Sequence, residues 1–173
     1  MKNLLVVIDF QEKLIKHIPQ ADEILRNSMK FIKACRTLGI PIILTEQIKL
    51  GETVEEIKSL IETRPIQKSS FSCVRCEEFR EELERLKPER CILIGIEVHI
   101  CILQTALDLL KMGYKVYAVL DCIGSRKPLD KDTSIKRMIQ EGIAPMTAEA
   151  VIYEMLETAK HEKFREILEI VKS

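Results

Sequence analysis

Two residues carry chemistry by type and position: the thiol of Cys101 and the carboxylate of Asp9. Cys101 lies in the stretch Cys91–Ala106, CILIGIEVHICILQTA, whose first six residues are apolar or glycine and whose polar break is Glu97-Val98-His99. Ile102, Leu103, Ala106, Leu107 and Leu110 then recur every three or four residues, the apolar stripe of a helix packed on a sheet. The thiol therefore falls where a buried strand turns into a helix. Unpaired backbone N–H groups and the positive end of the helix dipole favour the thiolate there, and the thiolate is the nucleophilic form. That placement predicts a pKa below the free-thiol value of about 8.5. The alternative for a single cysteine is a small buried apolar side chain. Asp9 closes the aliphatic run Leu4–Ile8. A carboxylate facing a thiol can take its proton and return it to a leaving group, although Asp9 taken alone reads as a turn or cap residue.

Bringing these two residues together requires elements in a particular order, and the chain alternates strand and helix. Leu4–Ile8 is a short strand, and Ala21–Leu38 sets Ile24, Leu25, Met29, Ile32 and Ala34 at helical spacing before Gly39 closes it. Pro41–Thr45 reads as a second strand, with proline at its start where a missing N–H is tolerated. Residues 46–76 break the pattern with a short helix over Val54–Ile61 and a polar segment, Arg64–Cys73, that reads as an excursion rather than a core element. Long excursions in compact domains are often functional. Glu77–Leu86 is a charged amphipathic helix stopped by Lys87-Pro88. Beyond the Cys101 helix, Lys115–Leu120 is a strand ending in Asp121, and Asp130 or Asp132 caps a helix that runs to Gly142. Ile143–Thr147 is a weak edge strand, and helices over Ala148–Leu156 and Phe164–Val171 follow.

Repeated β–α units imply a three-layer α/β/α sandwich with a doubly wound, mainly parallel sheet of five to six strands. In such a fold ligands bind beyond the carboxyl ends of the strands, where the strand order reverses. If the first strand lies beside Cys91–Ile96, Asp9 and Cys101 rise at one crevice.

The 173 residues suit a single domain over 1–173, and 46% apolar residues supply its core. Net charge is zero, with no basic track, which argues against nucleic acid and anionic membrane surfaces as partners. No signal-peptide pattern or apolar span appears, so a cytoplasmic protein is expected. The six cysteines, at 35, 73, 76, 91, 101 and 122, follow no disulfide framework and are expected as free thiols. Cys73 and Cys76 form a C-x-x-C with no second pair to complete a zinc site, leaving a redox pair as the alternative.

Five motifs in order resemble one family across nearly the whole chain. They are Val7–Gln11 (VIDFQ), Thr45–Gln47 (TEQ), Lys68–Ser72 (KSSFS), Gly95–Thr105 (GIEVHICILQT) and Asp121–Arg126 (DCIGSR). Together they resemble the isochorismatase-like cysteine hydrolases; Arg137–Gly142 and His161–Arg165 are similar to the branch of isochorismatase-domain-containing proteins. Each motif alone is weak, whereas five at compatible spacing are specific. The resemblance implies a six-stranded parallel α/β sandwich and a Cys-Asp-Lys triad, which by motif position is Cys101, Asp9 and Lys68. It implies a hydrolase that cleaves an amide-type C–N bond of a small molecule through a thioester. Lys68 would supply the cation beside the thiolate, and the N–H groups of Glu97 and Cys101 would face the oxyanion. Gln11 and Phe71 are expected at the substrate, and a non-proline cis peptide is expected at Ile96–Glu97. A homo-oligomer, dimer or larger, is also implied, with Ile48, Leu50, Val151 and Leu156 as contact candidates.

Departures from the family pattern bear on the substrate. Nicotinamidases of this superfamily carry Asp-x-His-x-x-His after the second strand, where this chain reads Thr45-Glu46-Gln47-Ile48-Lys49. No metal and no cofactor are expected, and nicotinamide is disfavoured. Isochorismatases cleave a vinyl ether, and no cluster of pocket groups for that dicarboxylate is evident. Two other classes stay open: an inactive binding or scaffold protein on the same fold, and a nucleotide-binding or phospho-receiver domain. Against the latter, no G-x-G-x-x-G or P-loop follows a strand, and Asp9 lacks the acidic partner a receiver's magnesium needs.

Overall fold

The aliphatic run near the N-terminus forms the middle of the sheet, because all six of its residues are buried and only a position covered on both faces satisfies them. In the computed structural model, which describes all 173 residues, the elements follow in order: β1 (Asn3–Ile8), α1 (Glu12–Ile15), α2 (Ala21–Thr37), β2 (Ile42–Gln47), α3 (Glu55–Lys58), β3 (Ile66–Lys68), α4 (Glu77–Leu86), β4 (Arg90–Ile96), α5 (Leu103–Lys111), β5 (Lys115–Gly124), α6 (Pro128–Glu141), β6 (Ala144–Met146), α7 (Ala148–Leu156) and α8 (Phe164–Lys172). A short 3₁₀ turn, Cys73–Arg75, precedes α4, and a π-helical turn, Val98–Ile102, joins β4 to α5.

The six strands lie in the order β3-β2-β1-β4-β5-β6, and every neighbouring pair is parallel. The chain builds outward from β1 to β2 and β3, then returns to the other side of β1 with β4, so the switch point lies between β1 and β4. Alternating residues of β1 feed two cores. Leu5 and Val7 pack with Phe31 and Ile32 of α2, Val151 and Ile152 of α7 and Ile167 of α8. Leu4, Val6 and Ile8 pack with Phe79 and Leu83 of α4, Ala106 and Leu109 of α5 and Met138 of α6. No helix is long and apolar enough to cross a membrane.

Four details depart from the sequence reading. The polar segment contains a strand: Ile66 and Lys68 are buried and Gln67 is exposed, and three residues suffice to add an edge strand beside β2. β5 runs on past Leu120 to Gly124, because Ile123 and Gly124 pair with Gly95 and Ile96 beyond a break in register. α6 starts at Pro128 rather than behind an aspartate cap, since proline is preorganised for the first helical position; Asp130 lies in the first turn. Val151 and Leu156, expected at a contact surface, are 0% and 2% exposed, because the apolar face of α7 packs against α2 and the sheet.

Candidate active site

Asp9 is the first residue beyond β1 and takes a left-handed backbone, φ 54°, which aspartate tolerates better than most residues. That turn ends the strand and directs the carboxylate into the crest between β1 and β2. Oδ1 accepts a hydrogen bond from Thr45 Oγ1 at 2.8 Å, and the Asp9 N–H donates to Thr45 O at 3.2 Å. Lys68, the last residue of β3, reaches the same carboxylate from across β2. Its side chain is fully buried, and Nζ lies 3.0 Å from Asp9 Oδ2, 2.6 Å from Gln47 Oε1 and 3.5 Å from Cys101 Sγ. The carbonyls of Ser70 and Phe71, at 3.2 and 3.0 Å, complete the ring of acceptors around it. The polar excursion thus folds its own backbone around one buried ammonium.

Cys101 projects from the π-helical turn after β4 and is 7% exposed. The turn is held by Ser125, whose Oγ accepts the Val98 N–H at 3.0 Å and lies 3.0 Å from His99 Nδ1. The Ile96–Glu97 peptide before it is cis. Asp9, Glu97, Phe71 and Cys101 line one cavity of about 220 Å³, together with Leu14, Gln47, Leu50, Ile100 and Arg126. A wider surface depression of about 420 Å³ around Arg64 and Arg85 contains no thiol.

Burial dominates the electrostatics. It pushes the Cys101 thiol above the ordinary value, the charge of Asp9 pushes the same way, and the opposing pull of Lys68 is smaller. The depressed pKa expected at a helix start is thus not met: burial beside a carboxylate favours the thiol over the thiolate. For Lys68 burial acts downward, but the charge of Asp9 leads the opposing effects and holds the ammonium above the usual lysine value. A second thiol, Cys73, is fully buried and lies 3.9 Å from Thr45 Oγ1. Burial pushes it up to about 12, so it remains a thiol.

The other residues expected here divide. Phe71 lends its carbonyl to Lys68 and its half-exposed ring to the cavity. The Glu97 side chain is 3% exposed and is bound by Arg126 through Nε and the main-chain N–H. Gln11 departs from the expectation. It is fully buried and absent from the cavity wall: its amide donates to Gln47 O and Gly51 O at 2.8 and 2.9 Å and accepts the Gln47 N–H at 2.8 Å. Its place is to lash the loop after β2 to the end of β1. Gln11→Ala would strand those buried groups, and we expect a loss of about 2–3 kcal/mol, read as a Tm lower by about 5–10 °C. Gln47 and Arg126 belong to the motifs read in the sequence, but their contacts form only when residues 21 and 29 positions apart meet.

Glu46, at the position corresponding to the metal-binding stretch of nicotinamidases, turns its carboxylate to the Thr53 N–H and hydroxyl at 2.9 and 2.8 Å and to Gln67 Nε2 at 2.6 Å. No three His, Cys, Asp or Glu side chains cluster as metal ligands.

The family model for the isochorismatase domain matches residues 3–150. Isochorismatase domain-containing protein 2A of Mus musculus is 37% identical over 98% of this chain and 82% of its own. Isochorismatase family protein 2A of Dictyostelium discoideum is 35% identical over 96% and 88%. The solved structure of MAR1 ribonuclease from Caenorhabditis elegans superposes with a TM-score of 0.93 at 37% identity, covering 99% of this chain and 90% of that one. With the family model spanning both β1 and the Cys101 turn, and relatives aligned almost end to end, the chain belongs to the isochorismatase-domain family.

Proposed function

We propose that the protein is a cysteine-dependent hydrolase that cleaves an amide-type C–N bond of a small molecule, with Cys101 as nucleophile, Asp9 as proton carrier and Lys68 as the fixed cation. The observation that carries this reading is the single ammonium of Lys68 bridging Asp9 Oδ2 and Cys101 Sγ at the wall of a small cavity. In the first half-reaction Cys101 Sγ bonds to the carbonyl carbon while its proton passes to Asp9. The tetrahedral intermediate then collapses, breaking the C–N bond, and the nitrogen leaves with the proton from Asp9. Water adds to the thioester and gives a proton to Asp9; the C–S bond breaks and that proton returns to sulfur. One amide and one water thus become an acid and an amine or ammonia. Lys68 remains protonated throughout and offsets the charge left on whichever of sulfur or carboxylate holds it. The N–H groups of Glu97 and Cys101 serve the oxyanion in this scheme.

A thiol pKa raised by burial and by Asp9 fits this sequence of events, because the proton must be present to be handed to the leaving group. The test is a screen of small primary and secondary amides for amine or ammonia release, with Cys101→Ser as control. Turnover by wild type and none by the variant is the expected result; equal turnover by both removes the reading. RNA is the competing substrate suggested by the name of the Caenorhabditis elegans protein. A cavity of only about 220 Å³ and zero net charge favour a small molecule over a polyanion. Cys101-dependent cleavage of single-stranded RNA in the same screen, with no amide turned over, would reverse that choice.

The same reading includes a homo-oligomer. Ile48, Phe71 and Leu129 are 44%, 52% and 76% exposed and lie within three residues of cavity-lining Gln47 or Arg126, or line the cavity themselves. Exposed apolar side chains of this size are suited to cover by a second copy. Light scattering should give a multiple of the 20.0 kDa chain mass, and Leu129→Glu should lower it; a 20.0 kDa particle at micromolar concentration would count against association.

A further inference from the structure

The cavity holds one cation that the proposed reaction does not use. Arg126 donates its main-chain N–H to Glu97 Oε2 at 2.9 Å and its Nε to Glu97 Oε1 and Oε2 at 3.0 and 3.1 Å. Glu97 is itself 3% exposed, so the guanidinium is anchored along one edge by a carboxylate that is locked in place. The opposite edge is free. Neither Nη1 nor Nη2 has an acceptor in the protein, and the side chain is 52% exposed at the wall it shares with Cys101.

An arginine carries five N–H donors in a planar fork; with the Nε–H given to Glu97, four remain on the two Nη atoms. That pair matches a carboxylate bidentately. Anchoring matters because a free arginine loses rotamer freedom when it is fixed. Here folding has already fixed it. The remaining wall offers apolar Leu14, Leu50, Phe71 and Ile100, while Gln47 is already bonded to Ser69 O and Lys68 and Asp9 is already paired with Lys68. An anion entering this space therefore meets one charged partner with unused donors, in surroundings that screen it less than water does. Asp130 in the first turn of α6 lies 3.8 Å from His99 Nε2.

We infer that Arg126 is an anion-binding subsite and that the substrate is a small amide bearing a carboxylate at the end remote from the scissile carbonyl. The assignment rests on the hydrolase reading for the reaction, whereas binding of the acid does not depend on the thiol. In the full-length Cys101→Ala protein, calorimetry with ω-amide acids of three to six carbons and with the matching neutral diamides separates the two. The acids should bind at least tenfold more tightly than their diamides, and Arg126→Gln should erase the difference. Arg126→Lys retains the positive charge but loses the fork, and should give an intermediate preference should the glutamine variant misfold. A panel in which no acid outbinds its diamide, or in which the preference survives Arg126→Gln, overturns the subsite. Acids that bind through Arg126 without being hydrolysed by wild type would leave the subsite standing and remove the hydrolase; hydrolysis indifferent to charge would do the reverse.

Discussion

Asp9→Asn should lower turnover by about 10²–10⁴-fold, the range of a lost proton carrier, while making Cys101 easier to alkylate. The two effects have opposite signs because the carboxylate does two things. It carries the proton that the leaving nitrogen needs, and its charge, after burial, is the next largest reason the thiol is held above its ordinary pKa. Removing the charge releases the thiol; removing the base stops the reaction. Lys68→Ala should also abolish turnover but slow alkylation, since Lys68 is the one charge that pulls the thiol downward. It should cost about 3–5 kcal/mol of stability as well, because Asp9 would remain 1% exposed without its cation. The folded pKa of Lys68 lies above its unfolded value of about 10.4. Its contribution is therefore complete below that value and fades only as pH rises through the folded pKa, so the mutant's deficit should be constant across neutral pH. In wild type the iodoacetamide rate at Cys101 should keep rising above pH 8.5, the free-thiol value of about 8.5 marking no plateau. Alkylation that levels off below it, or that Asp9→Asn leaves unchanged, would contradict the electrostatic account.

Gly95→Ala should unfold the protein or lower its Tm by about 10 °C or more, although the change adds one methyl and no charge. A Cβ built at Gly95 would meet Ile8 O at 1.9 Å and Ile8 C at 2.7 Å, backbone atoms of the neighbouring strand, and φ there is +131°. β1 and β4 are the central pair of the sheet and flank the crevice, so separating them would part Asp9 from the Cys101 turn. Gly113→Ala is the control. Its φ is +90°, yet nothing lies within 4 Å of the added Cβ, and it should cost only about 1 kcal/mol of backbone strain. Equal losses for the two variants, followed by thermal melting, would show that conformation rather than close approach sets the requirement at Gly95.

How much of this was legible in the sequence follows from which forces are local. Continuous apolar runs announce β1 and β4, and the switch-point rule joins Asp9 to Cys101 across 92 positions from the sequence alone. Lys68 was legible only through its motif, because a lysine in a polar segment looks solvated until the carbonyls of Ser70 and Phe71 are seen wrapped around it. β3 escaped notice for a related reason: with three residues it has too little alternation to register, and it is stabilised by β2 rather than by its own pattern. Val151 and Leu156 were misplaced because an apolar stripe does not say what covers it, and α2 does. The sign of the thiol shift was the deepest miss. A helix start can be read from spacing, but the desolvation that outweighs it depends on the whole enclosure.

Cys101 as the attacking atom is tested most directly by quenching the enzyme in acid during turnover of an amide from the screen and weighing its peptides. The peptide containing Cys101 should gain the mass of the substrate's acyl group as a thioester, the other five cysteines should stay unmodified, and Cys101→Ala should show neither adduct nor product. Product formed by Cys101→Ala, or an acyl group found on another residue, would contradict it.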